Sequence, residues 1–120
     1  MRTSRLIRLL DAELLDAKDD IRDLEEVLRA RSEAREITNY VYQENNALLE
    51  LELHSLERIR SQLGKISPES FGTVDELVAA IKEMVHDQVL HHDVPGAVES
   101  IITRRLARIT DYLDCGEEQG

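Results

Sequence analysis

At 120 residues the chain has room for one domain with a modest core. Its formal net charge of −10, from 25 acids against 15 bases, argues against the cationic footprint that nonspecific nucleic-acid binding needs. Hydrophobic residues make up 42% but aromatics only 3%, so Leu, Ile, Val and Ala must build the core, and five glycines and two prolines favour long helices over sheet. Cys115 is the only cysteine, which excludes an internal disulfide and a cysteine-rich zinc site, and no apolar run approaches a membrane span.

The opening MRTSRLIRLLDAELL is basic but lacks the uninterrupted apolar segment of a signal peptide, so a cytoplasmic location is expected. From there Ile7, Leu10, Leu14, Ala17, Ile21, Leu24 and Leu28 alternate in steps of three and four, which predicts a helix over 4–31 with one apolar stripe. The polar stretch RARSEAREITN, 29–39, predicts a turn, although it holds good helix formers and no obvious cap. The alternative is one unbroken helix from Ser4 to Leu63, about 90 Å long, which the two shorter helices could not cover and which therefore requires a dimer.

A second helix over 36–64 carries Val41, Tyr42, Leu48, Leu49, Leu53, Leu56, Ile59 and Leu63, with Gly64 as its C-cap. Asn45 and Glu52 fall inside that stripe, which makes them candidates for buried polar groups that set helix register; Lys18 or an arginine is the expected partner for Glu52. His54 and Glu50 read as a solvated pair. On the other flank, Ile37, Tyr40, Ala47 and Leu51 extend the apolar character beyond one face. They are the candidate interaction residues, because a helix apolar on more than one side must be covered on more than one side.

Ser67-Pro68 predicts a short helical turn, and Thr73-Val-Asp-Glu76 is a capping box opening a third helix over 73–92. This helix contains Glu83 and His86 in the E-x-x-H spacing by which di-metal helical bundles hold iron or manganese, with His91 further on. A wheel at 100° per residue puts Leu77, Ile81, Met84, Val85 and Val89 toward the core and turns Glu83 and His86 away from it. No second E-x-x-H exists, so a solvated helix face outweighs a metal site at the surface or between chains. Pro95 opens a fourth helix over 95–114, with Val98, Ile102, Leu106, Ile109 and Leu113 on one side, and 115–120 reads as a frayed tail.

The expectation is a single all-α domain over 1–120, an antiparallel bundle of two long and two shorter helices, probing other helices or itself rather than catalysing a reaction. The partner expected first is a second copy in a homodimer, then another helical protein; neither membrane, nucleic acid nor cofactor is expected. The alternative is a metal-binding bundle, or a metal-dependent enzyme, using a divalent ion at Glu83 and His86.

Overall fold

The computed structural model describes residues 2–119, with side chains as far as Asp114. It is all-helical: α1 covers Arg2–Glu33, α2 Asn39–Leu63, α3 Val74–His91 and α4 Gly96–Gln119, with one 3-10 turn at Pro68–Ser70. The backbone of α4 thus continues through 115–119, the segment expected to fray, while the side chain of Cys115 lies outside the described residues.

The chain turns between α1 and α2 by a Schellman arrangement. The Glu36 N–H donates to the Arg31 carbonyl and the Arg35 N–H to the Ser32 carbonyl, which serves carbonyls that the helix end leaves free. Arg35 occupies the left-handed position, at φ 61°, where glycine is the usual choice; this is why the stretch shows no breaker in its sequence. Thr38 then caps α2, its Oγ1 accepting from the Val41 N–H at 3.1 Å. At the start of α3 the Thr73 Oγ1 accepts from the Glu76 N–H at 3.1 Å. Glu76 reaches back to the Gly72 N–H at 3.0 Å, one residue earlier than an ordinary capping box would have it.

The core lies at one end of the long helices. Leu6, Leu10, Leu14, Ala17 and Ile21 of α1 meet Leu53, Leu56, Ile59 and Leu63 of α2, with Leu77, Ile81 and Val85 of α3 and Val98, Ile102, Leu106, Ile109 and Leu113 of α4 closing over them. Burying each Leu or Ile side chain contributes about 1.5–3 kcal/mol, so the aliphatic core carries the fold without aromatics. Charged pairs stitch its rim. Arg60 donates to Asp11 at 2.9 Å and Lys18 to Glu57 at 2.6 Å, between α1 and α2. Arg105 of α4, its side chain only 13% exposed, donates to Glu13 at 2.7 Å, Asp16 at 3.0 Å and Asp20 at 3.3 Å of α1. Arg2 and Asp114 pair at the opposite ends of α1 and α4, 3.3 Å apart.

Burial stops abruptly. No residue between Arg22 and Glu52 is buried, although the apolar stripes of both long helices run on through this region. Leu24 is 55% exposed, Leu48 49% and Val41 39%, so these stripe positions lie outside the core. The outer part of the α1–α2 hairpin stands clear of α3 and α4, and the molecule is correspondingly elongated, 54 × 34 × 17 Å.

Candidate interaction surface

The outer hairpin is held by a thin seam. Glu25, Leu28 and Ser32 of α1 and Tyr42, Asn46, Leu49 and Glu50 of α2 are half-buried along it. Glu25 and Glu50 meet there. Their side-chain hydrogen bond, helped by partial burial and by the charge of Glu50, pushes the Glu25 carboxyl up from 4.5 to about 7; Arg22 opposes the shift and Glu26 adds to it. Glu50 is therefore turned to Glu25 rather than paired with His54, which is exposed. The apolar stripes do not single out this pair. The signal was available in the second register of α1, where Glu25 follows Ile21 by four residues and precedes Leu28 by three.

Outside the seam, the hairpin carries six of the nine exposed large hydrophobic residues among the described ones: Leu24, Val27, Tyr40, Val41, Leu48 and Leu51. The four residues singled out from the sequence divide. Tyr40 (72% exposed), Ala47 and Leu51 are exposed, and Ile37 is half-buried near the turn. Leu24, which its spacing puts in the apolar stripe of α1, and Val27 are more open still, each 55% exposed against 45% for Leu51.

Where the hairpin leaves α4 there is a cleft of about 680 Å³, with Ala17, Ile21, Leu24 and Ile101 as its apolar lining and Asp20, Glu52, Arg104, Arg105 and Arg108 around them. Glu52 is half-buried in it, and its carboxyl is raised above the ordinary range by desolvation. Neither Lys18 nor an arginine answers it, because Lys18 is taken by Glu57. Asn45, the other candidate buried polar group, is exposed instead. Its Nδ2 donates to the Val41 carbonyl one turn back at 2.8 Å, so it satisfies itself on its own helix without a neighbour.

The residues of the E-x-x-H motif lie on the surface of α3. His86 is 60% exposed with Nδ1 3.0 Å from Glu99 Oε2 of α4; His91 sits 3.8 Å from Asp87, and Glu83 is exposed. Among the described residues no group of three or more His, Cys, Asp or Glu side chains converges as metal ligands would. No helix of the described residues is long and apolar enough to cross a membrane.

Compared with known protein families, with curated proteins and with solved structures, the chain matches none of them.

Proposed function

We propose that this chain is a non-enzymatic helical interaction or assembly protein, an antiparallel bundle at one end whose protruding α1–α2 hairpin binds helices, its own first among them. The observation that carries the reading is the uncovered apolar surface between Leu24 and Leu51, on a segment with no buried residue of its own. Contiguous exposed apolar surface on a small protein marks a place where another molecule sits. Two helices presenting aliphatic side chains at i, i+3 and i+4 offer the geometry by which a further helix docks in a groove.

Light scattering coupled to size exclusion tests it. Self-association is expected at tens of micromolar, with replacement of the exposed hairpin residues Leu24, Val27, Leu48 and Leu51 together by Ser shifting the mass toward the monomer. A wild-type protein that stays strictly monomeric and retains no helical partner would count against the proposal.

A further inference from the structure

One face of α1 is self-complementary in a way that names its occupant. Along the outer half of the helix, Asp20, Leu24, Val27 and Arg31 recur at steps of four, three and four, which places them on one side of the helix. Leu24 and Val27 are each 55% exposed, and the side chains of Asp20 and Arg31 are 64% and 56% exposed. Turned end for end about the point between Glu25 and Glu26, the series reads as its own complement. Leu24 falls opposite Val27 and Asp20 opposite Arg31. The two acids at the centre do not interrupt the face, since Glu25 lies in the α1–α2 seam against Glu50 and Glu26 pairs with Arg29.

We propose that a second copy of this chain docks here, its α1 antiparallel to the first about a twofold axis between Glu25 and Glu26. The inference rests on the reading of the hairpin as an association surface and adds the face, the register and the partner. An isologous contact requires one patch to complement itself, which a face carrying an acid, two apolar residues and a base in palindromic order does. Each pairing occurs twice: Leu24 packs on Val27, and Asp20, which already accepts from Arg105, takes a second cation from Arg31 of the other copy, which itself donates to Glu36 of its own chain at 3.3 Å. The same register carries Glu33 at the end of α1, and Glu36 in the turn after it, toward the cleft where Arg104 and Arg108 are exposed, so charge complementarity continues past the helix end.

The test is a charge swap read by analytical ultracentrifugation. Asp20→Arg alone sets two bases against each other, and Arg31→Asp alone sets two acids, so each variant is expected to self-associate about tenfold or more weakly than wild type. Mixed in equal amounts, the two variants match at both sites and are expected to regain wild-type affinity as a heterodimer. Because Asp20 also touches Arg105, a second pair removes dependence on its folding: Leu24→Glu and Val27→Lys alter only exposed positions and are expected to behave the same way, weak alone and restored together. Weakening without restoration on mixing overturns this register. So does a dimer that persists in all four variants, which would leave self-association intact but move it to the Tyr40 and Leu51 side of α2. A wild type that remains monomeric at about 100 µM overturns both the register and the reading beneath it.

Discussion

Glu25 holds a proton that an isolated glutamate would release, because its hydrogen bond to Glu50 across the seam is lost when both carboxyls ionise. In the unfolded chain that proton leaves near 4.5, and in the folded chain near 7. The stabilisation is therefore complete below about 4.5 and is lost as pH rises through about 7. Thermal unfolding followed by circular dichroism should show the wild type losing stability between these values. Glu50→Gln should flatten that slope, because an amide partner neither shares the proton nor repels the anion. An unchanged slope in the variant would mean that other groups set the pH response. Arg35 tests the backbone at the same scale. A left-handed non-glycine residue costs about 1–2 kcal/mol, partly offset by the greater entropy glycine loses on folding, so Arg35→Gly should stabilise the protein by about 0.5–1 kcal/mol in urea unfolding. A loss of stability would show that the Arg35 side chain contributes more than its backbone strain costs.

Between elements, α4 is tied to α1 by a single well-enclosed cation. Arg105 serves Glu13, Asp16 and Asp20 together with the Glu13 carbonyl, and these hydrogen bonds hold its charge firmly despite the desolvation that opposes it. Replacing it by Met keeps much of the buried stem but takes this cation from Asp16 and Asp20 and leaves Glu13 only Arg108 at 3.9 Å, and a loss of about 1.5–3 kcal/mol is expected in urea unfolding. Helix positions were legible in the sequence because periodicity, Thr73 and Pro68 act locally. The turn was legible only as polarity, since Arg35 disguises a glycine position. The extent of burial was not legible at all: periodicity gives the phase of a stripe, and Leu24 keeps the phase of Leu10 while 55% exposed. Asn45 was misplaced for the same reason, as a stripe position in a stretch where the stripe has no cover, whereas Glu52 is half-buried at its edge. The metal candidates fared differently, because the helical wheel already turned Glu83 and His86 outward, where they lie.

At the scale of the molecule, stability should divide along the line where α3 and α4 end. The covered part has its own core, from Leu6 to Ile21 and from Leu53 to Leu113, and opens only when that core comes apart. The outer hairpin has a seam of half-buried residues and no buried one between Arg22 and Glu52, so in the monomer it should open locally at much lower cost. Association changes only that part. Burial of Leu24 and Val27 against another copy would stabilise the hairpin as a ligand does, by about 2.7 kcal/mol when the concentration is a hundred times the dissociation constant. Amide hydrogen exchange measured at two protein concentrations separates the two regions without any substitution. Protection over residues 22–52 should rise with concentration, while that of Leu56, Ile81 and Leu106 should stay nearly constant. If all amides respond together, the hairpin and the core unfold as one unit and the boundary in burial is not a boundary in stability; if none responds, the hairpin is not where copies meet.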